Sequence, residues 1–355
     1  MSNLFKDMLK EGESLFRDTI ALDYDYLPKV LPYREKEQRQ FAFAIKPLLQ
    51  ERNGRNLFVY GAPGIGKTAA CKHVLRELED ETDAVVPVYI NCWKHNTAYK
   101  ILLEMSERLG IRFTANLKTS ELFARIKEVA NKKSVVFVFD EIDKLEDFDV
   151  LYMLLEDVYR KAVFLITNYK EKVSELDERI MSRLNPEMVE FKPYNKEETR
   201  GILEHRRKYA FVPGIWDEEA FSMIVDKTAA HGDLRKGLFL MREAGNLAEE
   251  NASRKIEREY VQKAIERQFV ANEEKPDDDA QRILGLVQQN PGEKMGPLFQ
   301  KFLSQGSEMS YKSFQRKIEK LEKGKKVATE KVSGGREGNT SVVYPYDQPK
   351  KLTEY

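Results

Sequence analysis

The run GAPGIGKT at residues 61–68 constrains this chain more than any other feature. It fits G-x-x-x-x-G-K-[ST], and average composition would produce such a match by chance in only about 1% of chains this long, so its surroundings decide the reading. NLFVYG (56–61) reads as a short apolar strand, and residues 69–78 read as a helix. A glycine loop between a strand and a helix turns its backbone N–H groups toward phosphate oxygens at the positive end of the helix dipole. Gly61, Gly64 and Gly66 permit the curl, and Ala62, Pro63, Ile65 and Ala69 complete it. Lys67 then meets the β and γ phosphates and Thr68 offers its hydroxyl to Mg²⁺. The cofactors implied are ATP or ADP and Mg²⁺. The competing reading is a glycine-rich turn with an incidental lysine.

The same alternation continues along the chain. Residues 33–52 read as an amphipathic helix carrying Phe41, Ala44, Ile45, Leu48 and Leu49 on its apolar face, with Pro47 as a kink. VVPVYINC (85–92), SVVFVFD (134–140), AVFLITN (162–168) and MVEF (188–191) read as further strands, with helices near 97–109 and 120–131. Apolar strands separated by helices predict an α/β core with a parallel sheet covered on both faces. After Pro193 the strands stop, and Asn195 with Glu198 predicts a capped helix start. Phe221, Ile224, Val225 and Thr228 share one helical face, and Leu234, Leu238, Met241, Gly245 and Ala248 another. NEEKPDDD (272–279) reads as a linker. Helices at 280–289, 295–304 and 310–323 follow, then a hairpin with arms KKVATEKV and TSVVYPY and a tip SGGREGN, a winged-helix outline. The expected division is residues 1–193 (core with N-terminal segment), 194–272 (helical lid) and 278–355 (winged helix).

Charge separates these parts. The whole chain balances 59 Lys and Arg against 59 Asp and Glu. Residues 281–355, however, hold 14 basic and 8 acidic side chains, leaving 45 and 51 for the rest. A basic C-terminal part raises the question of nucleic acid, although a charged stretch is also an ordinary solvated surface. Two cysteines, Cys71 and Cys92, are too few for a disulfide framework and lack zinc spacing. MSNLFKDMLKEGES lacks the apolar stretch of a secretion signal, and no run approaches the roughly 20 apolar residues that span a bilayer. The expected location is cytoplasmic, with no membrane partner.

VVFVF delivers Asp140 and Glu141 to the C-terminal end of its strand, where a parallel sheet presents ligand-binding residues. Asp140 suits the metal or its water, and Glu141 suits the base that orients an attacking water. The plain alternative is loop polarity.

From these motifs the chain is identified as a member of the Orc/Cdc-type replication initiators, AAA+ ATPases of archaea and eukaryotes, with a likeness running over nearly the whole length. DYLPKVLPYREKEQ (25–38) resembles the family's segment ahead of the sheet, which implies base-pocket roles for Leu31, Pro32, Tyr33 and Arg34. INCWKHNTAYKILLEMSERLG (90–110) resembles the initiator-specific stretch at Asn91, Cys92, Thr97 and Tyr99. The likeness implies a sensor-1 role for Asn168, where the bland reading is a strand-end cap. In LDERIMSRL (176–184) it implies a trans arginine finger at Arg183, with Arg179 second, against a surface salt bridge. In GDLRKGLFLMREAG (232–245) it implies a sensor-2 role for Arg235, against an arginine at an ordinary helix start.

In the winged helix, YKSFQRKIEKLEKGKK (311–326) is expected to be the recognition helix. Phe314, Ile318 and Leu321 form its buried face, and Lys312, Arg316, Lys317, Lys320 and Lys323 its exposed surface, with Lys331 and Arg336 extending the basic strip. The wing GREGN carries Asn339 and Thr340 where a second basic residue is often expected. A protein-docking winged helix is the alternative. The function implied is an ATP-dependent replication initiator that binds duplex origin DNA, hydrolyses ATP slowly as a switch, remodels the origin and recruits a replicative helicase. A second copy or paralogue on the DNA is a further implied partner, and the location is nucleoid-associated. Rival readings are a nucleotide-gated transcriptional or plasmid-maintenance regulator and a clamp-loader-like or transposition ATPase.

Overall fold

The computed structural model describes residues 14–114, 117–272, 278–305, 309–324, 326–332 and 340–346. They divide into two compact units, 1–265 and 266–355. Through the sheet of the first unit the chain runs α1 (Glu35–Ile45), β1 (Leu57–Tyr60), α2 (Lys67–Glu81), β2 (Val85–Asn91), α3 (Ala98–Arg108), α4 (Thr119–Ala130), β3 (Ser134–Asp140), α5 (Asp149–Asp157), β4 (Lys161–Thr167), α6 (Glu178–Leu184) and β5 (Glu187–Glu190). The strands form one parallel sheet in the order β2-β3-β4-β1-β5.

All seven residues of β3 are buried, which a parallel sheet covered on both faces requires. Phe137 and Phe139 pack with Phe58, Val163 and Leu165 against α3, α4, α5 and α6. The alternating residues Val136 and Val138 pack with Val59, Phe164 and Ile166 against α1 and α2. This two-sided burial holds the C-terminal ends of β1, β3 and β4 side by side, with Tyr60 opposite Thr167 and Asp140 opposite Ile166.

A helical bundle follows: α7 (Lys196–Ala210), α8 (Glu218–His231), α9 (Leu234–Glu250) and α10 (Arg258–Asn272). Both halves of the expected capping box form, Asn195 Oδ1 accepting from Glu198 N at 2.8 Å and Glu198 Oε2 from Asn195 N at 2.9 Å. Phe221, Ile224, Val225, Leu238, Met241 and Ala248 sit in its core.

Two readings need correction. The single helix expected over 33–52 is α1 followed by a 3₁₀ turn at Lys46–Gln50, because Pro47 cannot donate the next helical hydrogen bond. Leu49 is exposed as a result. Residues 15–22, expected as part of the core, pack with the helices instead. Leu15, Ala21 and Leu22 are buried among α7, α8 and α9, and Phe16 bridges to Phe211.

The second unit contains α11 (Asp278–Gln289), β6 (Glu293–Lys294), α12 (Met295–Ser304), α13 (Tyr311–Lys323), β7 (Val327–Val332) and β8 (Thr340–Pro345). Three helices and an antiparallel β6-β8-β7 sheet are a winged-helix domain. β6, which sequence periodicity missed, is two residues long and made by Glu293 and Lys294 pairing with Val343 and Val342. Phe302, Phe314, Ile318 and Val343 form its own core. The wing tip (333–339, with Arg336 and Asn339) and linker residues 273–277 lie outside the described residues. Among the described residues, no helix is long and apolar enough to cross a membrane.

Candidate functional site

The glycine loop leaves β1 at Tyr60 and enters α2 at Lys67, with backbone shapes that favour glycine. Gly64 and Gly66 adopt φ of 73° and 90°. A Cβ on Gly64 would lie 1.8 Å from Asp233 Oδ1, and one on Gly66 would lie 2.8 Å from the Tyr194 hydroxyl. Positive φ favours glycine, and the absent space excludes any side chain.

Lys67 is buried to 6% exposure. Its ammonium donates to Gly61 O at 2.7 Å, Ala62 O at 2.8 Å and Asn168 Oδ1 at 2.8 Å. Lysine has three donors, and here the ends of β1 and β4 accept all three. Burial lowers its pKa from 10.5 to about 8, against the opposing pull of Asp140.

Thr68 Oγ1 donates to Asp140 Oδ2 at 2.7 Å, and the Tyr89 hydroxyl donates to the same oxygen at 2.6 Å. Glu141 N donates to Asp140 Oδ1 at 2.9 Å. Glu141 holds φ of 55°, a costly conformation for glutamate that recurs at functional sites. Its pKa is raised, first by burial and then by the neighbouring Asp140 and Asp143. Thr68 and Asp140 offer a hydroxyl and a single carboxylate, hard oxygen donors that suit Mg²⁺ sharing its shell with phosphate and water. No cluster of three or more His, Cys, Asp or Glu able to hold a metal occurs among the described residues.

These residues open into a cavity of about 310 Å³. Pro63, Gly64, Gly66, Lys67, Thr68, Ala69, Asp140, Glu141, Asn168 and Arg235 line it, as expected from their motifs. The implied base-pocket group divides. Leu31 and Pro32 line the wall, whereas Tyr33 and Arg34 do not. Arg34 is a buried strut instead, bonding Ile65 O at 2.9 Å and Lys192 O at 2.7 Å while its guanidinium stacks 3.8 Å from the Tyr194 ring.

The far wall joins Tyr26, Leu27 and Pro28, within the 25–38 segment whose likeness implied a base pocket, to Ile202, His205 and Arg206 of α7, which the sequence did not single out. Arg206 donates to Ala21 O and Tyr26 O, both at 3.2 Å, and lies 4.9 Å from the Tyr26 ring. Burial lowers the His205 pKa and favours the neutral ring. The Tyr- and Pro-rich run 24–32 carried a local signal for this wall; the α7 residues carried none.

Arg235 forms a two-point ion pair with Asp233, Nε at 3.1 Å and Nη2 at 3.1 Å. Asp233 also caps α9, and Leu234 N donates to Gly64 O at 3.2 Å. Arg183 and Arg179 stand away from the cavity. Arg183 Nε pairs with Glu156 Oε2 at 2.6 Å, and Arg179 pairs with Asp177 at 2.9 Å. In the initiator-like stretch, Asn91 Oδ1 accepts from Trp93 N at 2.9 Å, Cys92 is buried, Thr97 immediately precedes α3 and Tyr99 is exposed.

In the second unit, Phe314, Ile318 and Leu321 are buried while Lys312, Arg316 and Lys320 are exposed along α13. Lys317 is half-buried and pairs with Asp279 at 3.4 Å, which reduces its freedom to meet another anion. Lys331 lies on β7 opposite Ser341.

Comparison with known proteins places the chain in a family. Residues 50–173 match the family model described as "AAA domain", and residues 200–266 match "Cdc6 AAA+ ATPase-type lid domain". The fold is that of an AAA+ ATPase. The chain is 32% identical to "ORC1-type DNA replication protein 2" of Methanothermobacter thermautotrophicus, over 96% of this chain and 94% of that protein. It is 35% identical to "ORC1-type DNA replication protein 1" of Sulfurisphaera tokodaii, over 74% and 70%. The structure of the Aeropyrum pernix ORC1 protein in complex with DNA superposes with a TM-score of 0.72 and 28% identity, over 94% of each chain. The chain belongs to the Orc1/Cdc6-type family of replication initiator AAA+ ATPases.

The lysine pKa yields a pH test with a definite sign. Between about pH 8 and 10.5 the folded, nucleotide-free protein holds fewer protons at Lys67 than the unfolded chain, so this group's contribution to stability rises with pH across that window. Phosphate, by contrast, attracts the charged form. ADP affinity measured by calorimetry from pH 7 to 9.5 is expected to fall above pH 8, approaching tenfold per pH unit. A flat profile would contradict the assignment.

Proposed function

We propose that this protein is a nucleotide-controlled initiator that binds duplex DNA at replication origins, hydrolyses ATP slowly and presents the origin for remodelling and helicase recruitment. The carrying observation is the joining of Lys67, Asn168, Thr68 and Asp140 at adjacent strand ends in an Orc1/Cdc6-type chain. Within residues 1–193 the sheet and its helices act as the ATPase core, the helices of 194–272 together with the Leu15–Leu22 segment packed on them act as its lid, and 278–355 act as the DNA-binding winged helix. The working location is the nucleoid in the cytoplasm.

Lys67 exchanges its carbonyl partners for the β and γ phosphates. Thr68 and Asp140 would hold Mg²⁺, which neutralises phosphate charge when bound. Glu141 orients the attacking water, and the raised pKa suits a general base. Asn168 leaves Lys67 to bond the γ phosphate or that water. Arg235 reports the nucleotide from the lid, and Leu31, Pro32 and the Tyr26–Pro28 wall surround the base. Arg183 reaches a neighbouring subunit's site only after leaving Glu156, so slow turnover in the isolated chain follows. Lys312, Arg316, Lys320, Lys331 and Arg336 contact DNA, supported by the basic face of α13 and by the DNA complex of the Aeropyrum pernix relative.

Lys67→Ala is expected to weaken ATP binding at least a hundredfold, roughly the loss of one buried charge-assisted contact set. Glu141→Gln is expected to keep ATP affinity and lose about 10² to 10⁴ in single-turnover rate. Unchanged turnover in Glu141→Gln would remove the glutamate from the mechanism.

For DNA, Lys320→Ala in the full-length protein should weaken all duplexes alike and flatten the log K against log salt slope by about 0.9. Arg316→Ala should cost about 1–3 kcal/mol mainly on the preferred sequence. Salt-insensitive binding, measured by fluorescence anisotropy, would argue for a protein-docking winged helix.

A further inference from the structure

Asp140 is braced from two directions, and only one brace belongs to the motifs already described. Its Oδ2 receives Thr68 Oγ1 from the start of α2 at 2.7 Å and the Tyr89 hydroxyl from β2 at 2.6 Å. The register makes the second contact possible. Tyr89 pairs with Val138 and Asn91 with Asp140, so Tyr89 points to the same sheet face as Asp140, one residue pair back. The backbone repeats the link, with Cys92 N donating to Asp140 O at 2.8 Å. Tyr89 also borders the nucleotide cavity, and the Lys72 ammonium lies 4.7 Å from its ring centre.

Asp140 is only 2% exposed. A carboxylate that deep needs hydrogen-bond donors, and its rotamer decides which lone pairs face the cavity. Glu141 N occupies Oδ1 and Thr68 reaches Oδ2 from the phosphate side, so Tyr89 is the donor that anchors the carboxylate from the sheet edge.

We propose that Tyr89 is a positioning residue that fixes the Asp140 carboxylate for the divalent cation accompanying the nucleotide. This deepens the nucleotide-site reading and rests on it. Partners that orient a metal ligand typically change metal affinity 10- to 100-fold when removed.

The test compares ADP affinity in EDTA and in Mg²⁺ for the full-length protein and for Tyr89→Phe. The expected result is EDTA affinity within about twofold of the natural protein, with the Mg²⁺-dependent gain reduced about tenfold and regained at higher Mg²⁺. The effect should vanish when Asp140→Asn is already present. An equal Mg²⁺ gain in both proteins, or an equal loss with and without Mg²⁺, would overturn the proposal. If the natural protein itself gains nothing from Mg²⁺, the nucleotide-site reading fails rather than the role of Tyr89 alone. Should Tyr89→Phe fail to fold, 3-fluorotyrosine at position 89 replaces it. A ¹⁹F shift on adding Mg²⁺ to the ADP complex supports the proposal, and an unmoved resonance overturns it.

Discussion

The rest of the site depends on one buried ammonium group. Lys67 sits where β1 and β4 end, its charge satisfied by Gly61 O, Ala62 O and Asn168 Oδ1. Placing a cation in so little water is unfavourable unless its donors are met. Here they are met by neutral oxygens, and among the described residues no carboxylate is in direct contact. The lysine is therefore solvated by the protein but not neutralised, and burial lowers its pKa to about 8 although Asp140, Glu141 and Asp143 pull it upward. A phosphate supplies what the carbonyls lack. The two-sided packing of the parallel sheet is what brings the three acceptors to one point.

The loop around that lysine also carries the connection to the helical bundle. Gly64 lies against Asp233 with no room for a side chain, its carbonyl accepts from Leu234 N, and Asp233 holds Arg235 in a two-point pair. In the proposed function a phosphate drawing Arg235 toward itself must compete with Asp233, so nucleotide occupancy alters the contact between loop and bundle. That competition is how a switch works. A ligand shifts such an equilibrium only by the difference in its contacts between the two states.

Much of this was legible in the sequence because it is local. The glycine loop, the apolar run ending in Asp140 and Glu141, the Asn195–Glu198 cap and the Phe314–Ile318–Leu321 face are each written within a few residues. What escaped was set by distance along the chain. His205 and Arg206 join the cavity wall because α7 packs beside the Tyr26–Pro28 segment, about 180 residues earlier in the chain. Leu15, Ala21 and Leu22 join the helices rather than the sheet for the same reason. Arg34 was expected at a base and found bracing Ile65, since family likeness locates a segment without saying which way each side chain turns. Tyr89 looked like any strand tyrosine until the β2–β3 register set it beside Asp140.

The central claim is that the Lys67 ammonium is the receptor for the phosphates. Selective ¹³Cε labelling of lysine, with Lys67 assigned by its loss in Lys67→Arg, allows that one group to be titrated by NMR in the free protein and with saturating ADP. The account predicts a pKa near 8 in the free protein and a value above about 10 with ADP bound, because the phosphate charge stabilises the ammonium. The same pKa in both states would contradict it.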